Sequence, residues 1–195
     1  KVIIYNSNNY NDLVFKNYNF IFINELFKNN NEIRDLIFDK FKEILNENIE
    51  NNLENIDKSV NINYAVSIPG YSKEIHVDRR EHLINILYYN VDVDIDSNDY
   101  GGDLELWKLK NDSKNEYDVF PPKKDMNLSK SYKSKNNSAI IMINLPNSYH
   151  SVKLQNELFH NRKYIYIVWD YEKNSRNLKD NNNNSLVWKK KNKVY

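Results

Sequence analysis

The residues best suited to chemistry in this chain are a histidine and an aspartate separated by one position. His76 and Asp78 lie in a strand-like stretch, and residues i and i+2 of a strand project from the same face. The strand then presents an imidazole and a carboxylate side by side, as two adjacent ligands of one metal ion. The spacing therefore predicts metal binding by His76 and Asp78.

A third ligand has to come from a distant part of the chain, and His150 is the natural candidate. It lies in a second alternating run, residues 149–154. Two histidines and one carboxylate leave about three coordination positions open, which suits non-haem Fe(II) that binds a cosubstrate and O2 together. A zinc hydrolase more often fills three positions with protein ligands and keeps one water, and it stays open as an alternative.

Arg162 is a candidate partner for that cosubstrate. It follows His150 by twelve residues and immediately precedes a predicted strand, and Lys163 beside it is the competing cation. If the strands carrying His150 and Arg162 are neighbours, the guanidinium points into the cavity that holds the metal. A buried guanidinium favours a carboxylate in a bidentate pair. A dicarboxylic cosubstrate that chelates the metal at one end and pairs with Arg162 at the other meets both needs.

The elements that position these residues are mostly strands. Apolar residues at three- and four-residue spacing predict one helix over residues 33–45, with Asn31 as its cap. Its predicted apolar stripe consists of Ile33, Leu36, Ile37, Phe41, Ile44 and Leu45. Residues 111–137 are predicted to form a polar insertion. Because no long helix separates the later strands, we expect an antiparallel sandwich or barrel with an N-terminal buttressing helix. The predicted strands cover residues 1–5, 20–23, 60–68, 75–78, 83–89, 104–109, 139–145, 149–154 and 164–169.

Composition excludes several classes of protein. The 195 residues predict one domain, with supporting elements in residues 1–59, a catalytic core in 60–171 and a polar tail in 172–195. The 28 basic and 27 acidic residues argue against nucleic-acid binding, and the absence of cysteine excludes disulfides. No apolar run approaches the roughly 20 residues of a membrane span, and no signal-peptide pattern is present, so we expect a cytoplasmic location.

Taken in order, these motifs resemble the 2-oxoglutarate- and Fe(II)-dependent dioxygenases, and within them the prolyl-hydroxylase-like group. The similarity covers roughly residues 60–171. It rests on the following residues: His76-Val77-Asp78, residues 83–90, Gly101-Gly102 with the strand after them, His150-Ser151-Val152, and Arg162.

The resemblance implies a mainly β fold, a double-stranded β-helix or jelly roll. Its implied metal is Fe(II), bound by His76, Asp78 and His150, with 2-oxoglutarate and O2 as cosubstrates and ascorbate as a candidate additional cofactor. The resemblance also assigns cosubstrate-binding roles to three residues, of which the first would pair with the distal carboxylate of 2-oxoglutarate and the others would help to hold it or line its pocket. These three residues are Arg162, Tyr88 and Tyr64.

The activity implied by the resemblance is hydroxylation of a C–H bond, with succinate and CO2 as coproducts. A prolyl residue of a protein or peptide is the leading substrate, and a saccharide or small polar metabolite is the alternative. A jelly-roll binding module that has lost catalysis is a further alternative, although all three ligands are present. The Asp-rich stretch in 78–101 and the insertion 111–137 depart from the pattern of the family, at places where substrate would be selected.

Overall fold

The computed structural model describes residues 2–6, 22–23, 25–27, 30–49, 58–79, 81–89, 100–111, 119–156 and 162–171. The predicted polar tail, residues 172–195, lies outside the described residues. Residues 22–23 and 25–27 are helical, and the helices with both ends described are α1 (Asn31–Asn48) and a 3-10 helix (Lys123–Asp125). The strands are β1 (Val2–Asn6), β2 (Lys58–Ser67), β3 (Lys73–His76), β4 (His82–Tyr89), β5 (Leu104–Leu109), β6 (Met126–Tyr132), β7 (Ser138–Ile143), β8 (His150–Val152) and β9 (Arg162–Tyr171).

The strands form two antiparallel sheets. The first has the order β1-β2-β9-β4-β7 and the second the order β3-β8-β5-β6. Neighbours in each sheet are distant in sequence, as in β2 with β9 and β3 with β8, so the chain passes repeatedly from one sheet to the other. The predicted mainly β jelly roll with an N-terminal helix is confirmed. No described helix has the length and apolar character needed to cross a membrane.

Helix α1 covers the outer face of the first sheet. It begins after Asn30, whose side-chain oxygen accepts the backbone N–H of Ile33 at 3.2 Å, so the cap lies one residue before the predicted Asn31. Phe38 is buried against the sheet, whereas Leu36 of the predicted apolar stripe is 72% exposed. The predicted stripe packs at Ile33, Ile37, Phe41 and Leu45, whereas Leu36 and Ile44 are exposed, because the sheet contacts only part of the apolar surface of the helix.

Two predicted segments differ from the structure. Residues 22–23 are helical, although 20–23 was predicted as a strand. The predicted insertion 111–137 contains the strand β6, which pairs with β5. Only Met126 of β6 is buried, so the sequence of this edge strand shows no apolar alternation. Its strand conformation depends instead on backbone pairing with β5.

The two faces of the first sheet have different surroundings. Alternate residues of its strands pack under α1, whereas the residues between them face the second sheet, because successive side chains of a strand point to opposite faces. The helix-facing set includes Ile62, Tyr64, Ile84, Ile86, Ile165, Ile167 and Trp169. The set that lines the space between the sheets includes Asn63, Ala65, Leu87, Arg162, Tyr164 and Tyr166.

Candidate metal centre

The three predicted metal ligands meet between the sheets. His76 and His150 lie directly opposite each other on the antiparallel strands β3 and β8, and their ring centroids are 4.3 Å apart. Asp78 lies two residues beyond His76 and past the end of β3, so the predicted strand over residues 75–78 ends two residues earlier than expected. Its two carboxylate oxygens are 3.4 Å from His76 Nε2 and 3.5 Å from His150 Nε2. One ligand atom of each residue therefore lies within 4.8 Å of the other two.

Backbone carbonyls orient both imidazoles. His76 Nδ1 lies 2.8 Å from the carbonyl oxygen of Glu74, and His150 Nδ1 lies 3.0 Å from that of Ser148. A carbonyl only accepts, so in the neutral rings Nδ1 carries the proton and Nε2 keeps its lone pair. This is the arrangement in which histidine binds metals, with the second nitrogen held by the protein.

The donor set fits a divalent metal. His76 Nε2 is fully buried and has no hydrogen-bond partner within the described residues. A buried nitrogen of this kind is costly to leave without a partner, and a metal ion would satisfy it. Two imidazoles and one carboxylate are ligands that Fe(II) accepts while keeping positions open.

The charges around Asp78 favour its ionised form. Burial opposes ionisation, but the imidazoles of His76 and His150 and the ammonium of Lys73 outweigh it and hold the pKa of this carboxyl well below its usual range. Asn85 donates its Nδ2 to Asp78 Oδ2 at 2.6 Å. Burial, together with the neighbouring imidazole of His76, lowers the pKa of His150. Both groups thus favour the protonation states that a metal requires.

Arg162 lines the same cavity as the three ligands. The cavity has a volume of about 220 Å³, and its other polar lining residues are Asn63, Tyr71, Lys73, Tyr164 and Tyr166. Arg162 was expected in the cavity on the condition that its strand is a neighbour of the strand that carries His150. Instead β8 and β9 belong to different sheets, so the guanidinium faces the ligands across the space between the sheets.

The partners of Arg162 are neutral. Its Nε donates to Ser134 Oγ at 2.9 Å and its Nη2 donates to the Tyr89 hydroxyl at 3.2 Å. The guanidinium also lies over the rings of Tyr89 and Tyr164, 5.0 and 4.9 Å from their centroids. Arg162 is 2% exposed, and the part of the chain that the structure describes places no carboxylate against it. A buried cation with neutral partners favours an anionic ligand.

The tyrosines of the cavity are hydrogen-bond donors. Burial raises the pKa of Tyr164 to about 12 and also raises that of Tyr71, although Arg162 acts in the opposite direction on both. Burial and the carboxylates of Asp78 and Asp170 raise the pKa of Tyr166. All three phenols therefore keep their protons at neutral pH.

The Gly101-Gly102 pair brings backbone close to Arg162. Both glycines have positive φ, 70° and 75°. A Cβ on Gly101 would overlap the carbonyl oxygen of Leu154, and a Cβ on Gly102 would lie 3.2 Å from Cδ of Arg162. Neither position therefore accommodates a side chain without a shift of its neighbours.

Tyr88 and Tyr64 are placed away from the cavity. Both belong to the helix-facing side of the first sheet, where Tyr64 is buried and Tyr88 donates its hydroxyl to Asn137 Oδ1 at 2.8 Å. Tyr89, one residue further along β4, points to the other face and contacts Arg162. Asn85, Leu87 and Tyr89 are alternate residues of β4 and therefore share the face that points to the cavity. This alternation is the sequence signal that could have identified Tyr89. Tyr71 lines the cavity and Tyr89 contacts Arg162, whereas Tyr88 and Tyr64 do neither.

A larger groove opens beside the metal centre. Its volume is about 730 Å³, and it shares His150 and Met142 with the smaller cavity. Phe120, from the predicted insertion, stacks on the ring of His76 with centroids 6.4 Å apart and is 63% exposed. The predicted insertion thus places one aromatic side chain next to His76.

Comparisons with known proteins align this chain with solved structures at low identity. No protein-family profile matches the sequence, and no curated protein matches it. A prolyl-4-hydroxylase from Pseudomonas putida aligns with a TM-score of 0.42 and 11% identity over 71% of this chain, which spans 63% of that enzyme. IDO from Bacillus thuringiensis aligns with a TM-score of 0.39 and 9% identity, over 72% of this chain and 57% of that one.

A Cupin_2 domain of an XRE family transcriptional regulator from Enterobacter cloacae is a further match. Its TM-score is 0.29 and its identity 10%, over 58% of this chain and 83% of the domain. The assignment of this chain as a jelly roll accordingly rests on its own strand order and pairing.

Proposed function

We propose that this chain is an Fe(II)- and 2-oxoglutarate-dependent dioxygenase that hydroxylates a C–H bond. The observation that supports the proposal is one cavity lined both by three metal-ligating side chains and by a buried guanidinium with neutral partners. A 2-oxo dicarboxylate has a chelating end for a metal and a second carboxylate for a guanidinium. It therefore satisfies both groups at once.

His76, Asp78 and His150 would hold the Fe(II). When bound together with 2-oxoglutarate and O2, the metal supplies the oxidising chemistry that converts C–H to C–OH with succinate and CO2 as coproducts. The carbonyls of Glu74 and Ser148 keep each Nε2 unprotonated for coordination. The carboxylate of Asp78, whose pKa is low, would neutralise part of the charge of the metal.

Arg162 and the cavity phenols would bind and orient the cosubstrate. The guanidinium already has Ser134 and Tyr89 as fixed partners, so a distal carboxylate meets a pre-oriented donor. Tyr71 and Tyr164 keep their protons and can donate to the same carboxylate. The apolar lining residues exclude water around this pair, which strengthens it. They are Leu87, Leu104, Met142 and Val152.

A prolyl residue of a protein or peptide is the leading substrate in this proposal, and a saccharide or small polar metabolite is the alternative. The choice is supported by the resemblance of the motifs. A binding module without catalysis is less consistent with this chain, because both imidazoles keep their Nε2 atoms oriented for a metal. A zinc hydrolase would leave the cavity guanidinium without a role.

The first test is spectroscopic. Anaerobic addition of Fe(II) and 2-oxoglutarate should produce a weak visible charge-transfer band, because the keto acid chelates the metal. Asp78→Ala should show no band and no succinate production, since the site loses a ligand. A flat spectrum of the wild-type protein would contradict the proposal, as would turnover by Asp78→Ala.

The second test compares two adjacent cations. Arg162→Leu should raise the 2-oxoglutarate concentration needed for half-saturation at least 100-fold, corresponding to about 2.7 kcal/mol. Lys163→Leu is the matched control, because its side chain has the opposite parity on β9 and does not line the cavity. Co(II) binding by Arg162→Leu, measured by visible absorption, reports whether the metal centre is still folded. An unchanged cosubstrate requirement would exclude this role of Arg162.

A further inference from the structure

The large groove beside the metal centre is bounded by parts of both sheets. Its walls come from four consecutive residues of β5 and from the end of β7 with the residue after it. His150, one of the predicted metal ligands, also lines the groove. The wall residues are Leu106, Trp107, Lys108 and Leu109 on one side and Ile141, Met142, Ile143 and Asn144 on the other.

Strand β7 presents an unpaired backbone edge to this groove. It is the last strand of its sheet, and in the part of the chain that the structure describes no strand pairs with its outer side. Asn144 N–H donates to the carbonyl of Leu83 at 3.0 Å, and antiparallel pairs alternate between bonded and non-bonded positions. Met142 is therefore bonded to β4, while the backbone groups of Ile141 and Ile143 point outward.

The outward direction agrees with the other contacts of Ile143. Its carbonyl accepts the N–H of Leu145 at 3.1 Å and the hydroxyl of Ser148 at 2.8 Å. The open part of the edge therefore centres on Ile141, which is 44% exposed and lines the groove. An edge of this kind pairs readily with an extended peptide.

The charge on the opposite wall is positive. Lys108 lines the groove, and the ammonium of Lys123 lies 5.5 Å from the ring centroid of Trp107, which also lines it. The described residues that line the groove include no aspartate or glutamate. With a net charge of only +1 for the whole chain, this is a local concentration of positive charge that complements an acidic ligand.

A buried acceptor points to a ligand as well. Asn85 lines the groove, is 1% exposed and uses its Nδ2 to hold Asp78. Its Oδ1 is buried and has no hydrogen-bond partner within the described residues. A ligand N–H that reached this oxygen would satisfy it and would lie beside the metal centre.

We propose that the groove binds an extended acidic segment of a partner protein, which adds as a strand to the edge of β7. Its backbone pairs with Ile141, and its acidic side chains lie near Lys108 on the opposite wall. The bound segment would then lie beside His150, which lines the groove. The interpretation of the bound segment as a substrate rests on the proposed function. Binding of the segment can be measured without turnover.

The binding test uses metal-free protein and two fluorescein-labelled 12-residue peptides. Both alternate valine with a charged residue around one central proline, and the charged residue is glutamate in one and lysine in the other. We expect the acidic peptide to bind at least tenfold more tightly by fluorescence anisotropy, and its affinity to fall as salt is raised. Equal affinities for the two peptides would overturn the proposal.

The edge itself is tested by a pair of variants. Ile141→Pro removes the outward N–H, and proline is tolerated where the N–H of an edge strand faces away from its sheet. It should weaken binding of the acidic peptide at least tenfold, whereas Ile141→Val, which keeps the N–H, should stay within twofold. Equal binding by the two variants would overturn strand addition.

A charge reversal provides a test that leaves the edge intact. Lys108→Glu should weaken the acidic peptide at least fivefold, and Lys40→Glu on the exposed surface of α1 should have less than a twofold effect. Equal effects would overturn the proposal.

Displacement of the peptide by maltohexaose would favour a saccharide ligand instead. Self-association abolished by Ile141→Pro, seen by analytical ultracentrifugation, would make a second copy the occupant.

The outcomes also separate this inference from the proposed function. A charge-transfer band without peptide binding overturns the inference and leaves the dioxygenase proposal standing. Peptide binding by a protein that shows no band supports the groove as a docking site and contradicts the dioxygenase proposal.

Discussion

The two faces of the five-stranded sheet use the same strands for different purposes. Under α1, residues such as Ile165 and Trp169 are buried among other apolar side chains. On the opposite face, Arg162 and Tyr164 from the same strand line the cavity with the predicted metal ligands. Neighbouring residues of β9 thus belong alternately to the core and to the candidate site, because side chains of a strand alternate between faces.

The comparison shows that parity decides the role of a residue in these strands. The helix-facing side requires only shape and apolar surface. The cavity side holds buried polar groups, and each needs a partner from the protein or a ligand. We therefore expect substitutions on the helix-facing side to change stability alone, and substitutions on the cavity side to change ligand binding as well.

The largest effect on stability is expected on the helix-facing side. Trp169 is buried and its ring meets that of Phe27 edge-on, with centroids 5.6 Å apart. Trp169→Ala should lower the free energy of unfolding by about 3–5 kcal/mol, because it leaves a cavity under the helix. Urea denaturation measures this loss, and Co(II) affinity of the remaining folded protein should be unchanged. A loss below about 1 kcal/mol would contradict the assignment of this face as the core.

A matched pair of tyrosines tests the parity directly. Tyr89→Phe removes the hydroxyl that accepts from Arg162 and should cost about 1.5–3 kcal/mol of unfolding free energy, since a buried charged donor loses its acceptor. It should also weaken 2-oxoglutarate binding. Tyr88→Phe removes an exposed hydrogen bond to Asn137 and should cost no more than about 1 kcal/mol, with no effect on the cosubstrate.

Urea denaturation and 2-oxoglutarate titration of both tyrosine variants provide the measurement. The same effect of Tyr88→Phe and Tyr89→Phe on 2-oxoglutarate affinity would show that the parity of β4 does not separate core from site.

Two glycines with similar φ separate backbone strain from contact with Arg162. Gly102→Ala and Gly70→Ala should each cost about 1–2 kcal/mol, because their φ angles are 75° and 79°. Only a Cβ at Gly102 would press on Arg162, since the space around Gly70 is open within 4 Å. Thermal denaturation should show similar losses, and 2-oxoglutarate titration should show weaker binding for Gly102→Ala alone. Unchanged affinity in that variant would contradict the close approach.

The smallest effect concerns pH. Burial holds the pKa of His150 below its ordinary 6.5 in the folded protein, so the unfolded chain binds the additional proton as the pH falls below that value. The metal-free protein should therefore lose stability between pH 7 and pH 5, by at most about 1.4 kcal/mol per pH unit for one proton. Urea denaturation at several pH values measures the slope, and His150→Asn should reduce it. An identical slope in the variant would exclude His150 as its source.

Much of the architecture could be predicted from local patterns. The alternation of apolar residues predicted most of the strands and the mainly β class, and the spacing of His76 and Asp78 predicted that their side chains would meet. Strand β6 was missed, because its sequence has little apolar alternation and its order comes from pairing with β5. Leu36 and Ile44 of the predicted helix stripe are exposed for a similar reason, since only contact with the sheet selects which apolar residues are buried.

The sequence by itself determined which side chains share a face, because the geometry of a strand is local and repeats every two residues. Only the tertiary structure decided what each face meets. It set His150 opposite His76 through the pairing of β3 with β8, and it placed Arg162 in the other sheet, across the cavity. It also decided that Tyr89 rather than Tyr88 contacts that guanidinium. These choices depend on contacts between residues far apart in the chain, which no local pattern specifies.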